Sequence, residues 1–291
     1  MRVVDALGHE LHFASPPRRI VSLVPSETET AFEVFGAANV VGRTEFCIEP
    51  RGRVEALPSV GGTKSVDVGA VRALAPDLVL ANQEENARGA VEKLRALGIP
   101  VHVSFPCTVE ASAAYVEAMC RLAGRGAGDP IAKAQRALVA EVHAAADSGD
   151  ATGPRPAVFV PIWKEPWMTF DGRTFASDLL AHAGVTNVFA DRARRYPLPA
   201  DLGRMEPVDA GERDTRYPRV TLDEVRRRAP SLALLPDEPY AFTDAERLEL
   251  ERALLACGTR VEHVDGKDLF WYGVRVPRAL ARLRARFEPT V

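Results

Sequence analysis

The sequence predicts an α/β protein with two similar lobes, each containing a mostly parallel sheet, joined by one long helix. The main observation is an internal repeat: residues 66–85 and 220–239 are identical at eight of twenty positions when aligned at an offset of 154. Each copy has a helix-like half, then Ala-Pro, then a short apolar run typical of a buried parallel strand. A long segment without helix breakers lies between the two copies.

The first lobe, residues 1–125, alternates predicted strands with predicted helices. The expected elements are strands at Ile20–Val24, Val40–Val41, Leu78–Ala81 and Ile99–Val103, and helices at Ser26–Phe35, Val68–Ala75, Asn86–Leu97 and Thr108–Leu122. Ser26 and Glu29 have the spacing of a capping box at a helix start. Pro76 should end the helix before it, because the residue preceding a proline avoids the α region.

Residues 126–150 are expected to contain the linking helix. Asp129 is a good N-cap residue, and Pro130 suits the first helical position. The second lobe, residues 151–291, repeats the alternation of strands and helices. Its expected elements are strands at Ala157–Val160, Leu232–Leu235 and Val261–Val264, and helices at Thr174–Ala183, Leu222–Ala229, Thr243–Cys257 and Val276–Phe287.

The overall composition excludes several classes of function. The formal net charge of −3 gives no basic footprint for nucleic acid or an anionic membrane surface. Since no apolar run reaches the roughly 18–20 residues of a membrane span, we expect no membrane-spanning segment. The first residues lack the apolar core of a signal peptide, which predicts a cytoplasmic location for the chain as it stands.

Acidic loops follow the strand of each repeat copy, at residues 82–86 and 236–239. Ligands of open parallel sheets sit beyond the carboxyl ends of the strands, so Glu84 and Glu238 are candidate ligand-binding residues. Lys64 and Lys164 could pair with these carboxylates or with anionic groups of a ligand. The alternative is that both loops are solvated surface.

The tryptophans also lie in candidate ligand-binding loops. Trp163 and Trp167 stand in PIWKEPWMTF after a predicted strand end, and Trp271 stands near the C-terminus. Aromatic faces suit a flat, partly apolar ligand. The alternative for each is a place in the core.

Cys47 lies two residues from Glu49, and together they could ligate a metal or the metal of a bound complex. The alternative is a partly buried thiol beside Phe46. His102 and His263 lie inside predicted strands and are expected to be core histidines. The sequence contains no nucleophile elbow, P-loop, dinucleotide fingerprint or zinc-protease motif, so we expect no catalytic residue and no catalytic cofactor.

Five phrases carry a resemblance to a known family: VDALG at 4–8, RIVSLVPSETE at 19–29, VGGT at 60–63, PDLVL at 76–80, and the helix–strand phrase at 86–103. In this order and spacing, the chain resembles the helical-backbone (class III) substrate-binding proteins of ABC importers. These are receptors for vitamin B12, haem and ferric siderophores, and the likeness is strongest to the B12-binding branch. The resemblance implies a ligand in a cleft between the lobes, a periplasmic or cell-surface location, an ABC permease as partner and a monomeric receptor.

The resemblance also implies individual residues. Phe46, Tyr217 and the run Phe270–Tyr272 match aromatic ligand contacts, whereas Thr63 and Asn82 stand where B12 receptors place cleft tryptophans. Asp223 matches one of two permease-docking glutamates, and the other falls at Gly69. Together with the candidates from the loops and from Cys47, the expected ligand-binding residues are Phe46, Cys47, Thr63, Lys64, Asn82, Glu84, Trp163, Trp167, Tyr217, Glu238, Phe270, Trp271 and Tyr272.

The residues and this resemblance together imply two possible functions. The first is a receptor for a metal-bearing small molecule, which is a cobalamin or other corrinoid, haem or a ferric chelate. The alternative is an intracellular enzyme or metal-handling protein that reuses the receptor fold, with Cys47 and Glu49 at the cleft.

Overall fold

A computed structural model gives the fold of residues 1–148 and 155–288. The chain divides into two units, neither of which is continuous in sequence. The first unit comprises Met1–His143 together with Trp271–Pro277, and the second comprises Ala144–Phe270 together with the residues from Arg278 onward. The predicted linking segment, residues 126–150, contains helix α5 (Pro130–Ser148). Residues 149 and 150 of this segment lie outside the described chain. The three-part division expected from the sequence stays a prediction.

The first unit contains a four-stranded parallel sheet and a separate antiparallel hairpin. Its elements before α5 are β1 (Arg2–Val4), β2 (Glu10–His12), β3 (Ile20–Ser22), α1 (Pro25–Phe35), β4 (Val40–Arg43), α2 (Val68–Ala73), β5 (Leu78–Asn82), α3 (Arg88–Ala96), β6 (Val101–Ser104) and α4 (Val109–Leu122). The sheet order is β4-β3-β5-β6, with all neighbours parallel. The sheet strands are buried along most of their length, as expected for a parallel sheet covered by helices.

The second unit repeats this architecture. Its elements are β7 (Ala157–Phe159), α6 (Phe175–His182), β8 (Thr186–Asn187), α7 (Leu198–Asp201), α8 (Leu222–Arg228), β9 (Leu232–Pro236), α9 (Asp244–Leu254), β10 (Arg260–Val264), α10 (Gly266–Phe270) and α11 (Val276–Phe287), whose first residues belong to the first unit. The sheet order is β10-β9-β7-β8, again parallel. Phe159 and Phe189 are fully buried in its core.

The internal repeat encodes the same local structure in both units. In each copy a short helix is followed by an alanine, a proline and a central strand of the sheet. Ala75 and Ala229 both adopt the left-handed region, with φ of 44° and 46°. The sequence predicted that the alanine before proline would leave the α region, and the structure shows that it moves to the left-handed region, which only a few per cent of non-glycine residues adopt.

Two local expectations were wrong. The capping box expected at Ser26 is absent, since α1 starts with Pro25 at its first turn and has no side-chain cap. Glu29 instead forms an ion pair with Arg275. His263 is exposed at the edge strand β10, 3.5 Å from an Asp244 carboxylate oxygen, and is not a core residue.

Candidate functional site

The carboxyl edge of the first sheet carries a buried polar cluster. Asn82 ends β5, Ser104 ends β6, and the two residues are partners in the parallel ladder. Tyr272 reaches them from the C-terminal segment of the first unit, with its hydroxyl 2.8 Å from Ser104 Oγ. The Asn82 amide donates to both hydroxyls, at 3.1 Å to Tyr272 and 3.3 Å to Ser104. Two predicted ligand-binding residues, Asn82 and Tyr272, are therefore brought together here.

Glu27 lies at the centre of this cluster, although no sequence pattern indicated it as a functional residue. Its Oε1 accepts hydrogen bonds from the Tyr272 hydroxyl at 2.9 Å and from Ser104. The side chain is fully buried, and burial raises the pKa of the carboxyl to about 8 despite these hydrogen bonds. Among the described residues, no group donates to or accepts from Glu27 Oε2. We call Glu27, Asn82, Ser104 and Tyr272 the Glu27 cluster.

Aromatic rings close the cluster on one side. The ring of Tyr115 packs edge-on against that of Tyr272, with centroids 5.7 Å apart, and His102 lies 5.8 Å beyond it. Within the described chain, the Tyr115 hydroxyl and His102 Nδ1 are buried without a hydrogen-bond partner. Burial lowers the pKa of His102 to about 4, so this ring is neutral at physiological pH. His102 is thus the core histidine that the sequence predicted.

A neighbouring loop is shaped by Asn86, which the sequence analysis did not select. The Asn86 side-chain amide donates to the backbone carbonyl of Thr63 at 2.9 Å, and its Oδ1 accepts from the backbone N–H of Asn82 at 2.8 Å. Lys64 donates to the backbone carbonyl of Glu84. Thr63, Lys64, Asn82 and Glu84 are therefore close neighbours, but most of these contacts involve the backbone and shape the loop. The role of these four residues toward a ligand stays a prediction.

Phe46 and Cys47 follow β4 and face different surroundings. The Phe46 side chain is 56% exposed and available to a ligand, whereas Cys47 is buried. The hydroxyls of Thr28 and Thr44 lie 3.0 and 3.1 Å from the Cys47 sulfur. Burial raises the pKa of this thiol, which opposes the thiolate form that binds metals.

The carboxylate expected to share a metal with Cys47 is engaged elsewhere. Glu49 lies 3.4 Å from the Arg51 guanidinium and accepts from the Arg51 backbone N–H at 3.1 Å. In residues 1–148 and 155–288, no three His, Cys, Asp or Glu side chains are grouped to hold a metal ion. A metal site at Cys47 and Glu49 stays a prediction, and these contacts favour a structural role for the thiol.

Two of the predicted tryptophans lie in the loop after β7, and their surroundings differ. Trp163 is 48% exposed and packs edge-on against Tyr240, with centroids 5.4 Å apart. Trp167 is 8% exposed and stacks on Phe242 in the core of the second unit. Lys164 forms an ion pair with Glu249 at 2.5 Å. Lys164 is one of the two lysines that were expected to pair with the acidic loops or with a ligand.

The remaining predicted residues are partly or fully buried. Tyr217 and Glu238 are half-buried in the second unit, where Phe270 packs edge-on against Phe170 at 6.1 Å. Trp271 is buried in the first unit, with the guanidinium of Arg275 at 5.2 Å from its ring centroid. The roles of these side chains toward a ligand stay predictions.

Comparison with known proteins identifies the family. The periplasmic binding protein family matches residues 20–216, which is more than half of the chain. The chain belongs to this family. The vitamin B12-binding protein of Photorhabdus laumondii is 29% identical over 195 residues, which cover 67% of this chain and 68% of the relative.

Solved structures show the same fold. A periplasmic haem-binding protein from Pseudomonas aeruginosa matches with a TM-score of 0.70 and 20% identity, covering 94% of each chain. Helicobacter pylori CeuE with Ni(II) bound matches with a TM-score of 0.74 and 14% identity, covering 99% of this chain and 89% of that one. The expected family and the two-lobed α/β fold class are confirmed. None of the helices in the described part of this chain combines the length and apolarity needed to cross a membrane.

Proposed function

We propose that this protein is a receptor that captures a metal-bearing small molecule for an ABC importer. Membership of the family carries the proposal, because the relatives and structural neighbours are described as binding vitamin B12, haem or Ni(II). The candidate ligands are a cobalamin or another corrinoid, haem and a ferric chelate. That the ligand lies in a cleft between the lobes stays a prediction from the family resemblance.

Exposed aromatic side chains beyond the carboxyl ends of strands support a ligand-binding role. Phe46 follows β4 in the first unit, and Trp163 follows β7 in the second. Large aromatic side chains that stay half-exposed supply contact area for a flat ligand at low cost in conformational entropy. Among the predicted aromatic contacts, these two are the best placed for direct contact.

Tryptophan fluorescence tests the proposal directly. The protein is titrated with cobalamin, cobinamide, haem and ferric chelates, with correction for absorption by the ligand. Saturable quenching by one compound at micromolar concentration is expected, and Trp163→Phe should reduce the quenching more than Trp167→Phe, because Trp167 is buried in the core. Absence of saturable binding by every compound, in protein shown by circular dichroism to be folded, would overturn the proposal.

The permease partner and the location outside the cytoplasmic membrane are part of the same proposal. Asp223 is exposed in the first turn of α8 and pairs with Arg226 on the same helix. We expect Asp223→Lys to lower the stimulation of permease ATPase activity without changing ligand affinity. Glu206→Lys, the same charge change at another exposed carboxylate of the second unit, is the matched control. Equal effects of the two substitutions would remove Asp223 from the docking site.

A binding role without catalysis also belongs to the proposal. The alternative of an enzyme or metal-handling protein required Cys47 as a reactive or metal-ligating thiolate, and its burial opposes that role. Cys47→Ala should therefore leave ligand affinity and the absorption spectrum of the complex unchanged. A shifted metal absorption band in this variant would restore the metal-ligating alternative.

A further inference from the structure

Three arginines and one tyrosine of the second unit form a cationic cluster to which the proposed function assigns no role. The guanidinium groups of Arg194 and Arg213 lie 4.3 and 4.2 Å from the centroid of the Tyr196 ring. Arg219 is close enough to Arg194 that the two charges repel, and burial together with this repulsion lowers the pKa of Arg219. We call Arg194, Tyr196, Arg213 and Arg219 the arginine cluster.

None of the three guanidinium groups forms an ion pair within the described chain. Arg213 donates to the backbone carbonyls of Ala210 at 2.8 Å and Asp209 at 2.5 Å, and Arg219 donates to the carbonyl of Tyr217 at 3.0 Å. Arg194 makes no side-chain hydrogen bond there, and its Nε is buried without a partner. A buried guanidinium N–H that donates to nothing is costly, so this arrangement is incomplete as it stands.

Nearby carboxylates do not neutralise the cluster. The Asp201 carboxylate attracts the Arg219 charge, but its oxygens accept from the Arg219 backbone N–H at 2.7 Å and pair with Arg192 at 3.0 Å. Asp214 pairs with Arg216 at 2.6 Å. Asp201 and Asp214 are therefore each paired with an arginine outside the cluster, and no ion pair neutralises the three guanidinium groups within the described chain.

The cluster adjoins the loop that follows the carboxyl end of β7. The backbone of Arg219 forms an isolated antiparallel β-bridge with the backbone of Met168 in that loop. The Val220 backbone N–H donates to the Trp167 carbonyl at 2.9 Å. The backbone N–H of Arg194 donates to the Thr215 carbonyl at 2.7 Å, which holds Arg194 beside the segment that leads to Arg219. This loop also carries the exposed Trp163.

We infer that the arginine cluster binds an anionic group, a carboxylate or a phosphate, of the small molecule that the protein captures. Planar guanidinium groups match the geometry of these oxyanions and bind them through paired hydrogen bonds. The inference rests on the proposed function and narrows the ligand to a complex with at least one such group. Haem, through its propionates, and ferric citrate fit this description.

Binding titrations with charge-neutral variants test the inference. Haem, haem dimethyl ester, ferric citrate and cobalamin are titrated into the wild-type protein and into Arg194→Gln and Arg219→Gln. The ester keeps the macrocycle and the iron of haem but lacks both carboxylates. The carboxylate source is separated from a phosphate source by comparing haem and ferric citrate with cobalamin, whose only anionic group is a phosphodiester. Arg227→Gln is the matched control, because Arg227 is exposed on α8 and outside the cluster.

The expected result is a loss of affinity of about tenfold or more in Arg194→Gln and Arg219→Gln for the bound anionic ligand, and no loss in Arg227→Gln. Because the Arg194 side chain makes no hydrogen bond in the described chain, its replacement should leave the fold intact. If a compound binds and both cluster variants behave like Arg227→Gln, the inference is wrong and the proposed function stands. If no compound binds the wild-type protein, the proposed function fails and the inference fails with it.

Discussion

Replacing Glu27 with glutamine should remove a pH dependence from the free energy of unfolding. The carboxyl of Glu27 is fully buried and its pKa is raised from 4.5 to about 8, so the folded protein holds a proton that the unfolded chain releases above pH 4.5. The stabilisation from this proton is complete below pH 4.5 and is lost as the pH rises through 8. Glutamine is neutral at every pH and has the same shape.

The magnitude follows from the two pKa values. Proton linkage with values of 4.5 and about 8 makes the free energy of unfolding fall by about 2.5 kcal/mol between pH 5.5 and pH 7.5 through this group alone. Glu27→Gln should therefore gain about 2.5 kcal/mol of stability relative to wild type over the same interval. Any fixed cost of the amide, such as an unpaired N–H at the position of Oε2, is the same at both pH values and cancels.

Urea unfolding followed by circular dichroism at pH 5.5, 6.5 and 7.5 provides the measurement. Glu33→Gln is the matched control, because Glu33 is exposed on the same helix, and its stability difference from wild type should stay constant with pH. A stability difference for Glu27→Gln that is equally constant would refute the reasoning. It would mean that Glu27 is ionised in the folded protein and that a group outside the Glu27 cluster compensates its charge.

Two further predictions concern other buried groups. Asp5→Ala should lower the free energy of unfolding by about 3–5 kcal/mol, because the substitution leaves the partly buried Arg95 guanidinium without its carboxylate. A loss below about 1 kcal/mol in urea unfolding would contradict this prediction. The buried Cys47 thiol should resist iodoacetamide at pH 8 in the native protein and react in urea, whereas the partly exposed Cys257 thiol should react in both conditions. Peptide mass spectrometry measures the two alkylation rates. Equal rates in the native protein would contradict the burial of Cys47.

The sequence predicted the arrangement of strands and helices well where a pattern is local. The repeat at 66–85 and 220–239 predicted a helix followed by a buried strand, and α2 with β5 and α8 with β9 confirm it. It did not predict the left-handed conformation of Ala75 and Ala229, because alanine has no preference for that region and only the tertiary structure selects it.

Long-range contacts explain why the site was harder to predict than the fold. Glu27 and Tyr272 are 245 residues apart in the chain, and nothing near either residue indicates the hydrogen bond between them. Trp163 and Trp167 occupy one loop, yet one is half-exposed and the other is part of the core, because Phe242 of a distant segment covers only the second. Residue type selected the aromatic candidates, and packing decides which of them a ligand can reach.

The return of residues 271–277 to the first unit has a consequence for biosynthesis. Until this segment is translated, the growing chain lacks Tyr272 for Glu27 and Ser104, and lacks Arg275 for Glu29. The first unit therefore cannot complete its buried polar contacts while it emerges from the ribosome, even though its sheet strands are among the first to be made. Premature termination anywhere before this segment should leave both units unfinished, which allows quality control to remove truncated products.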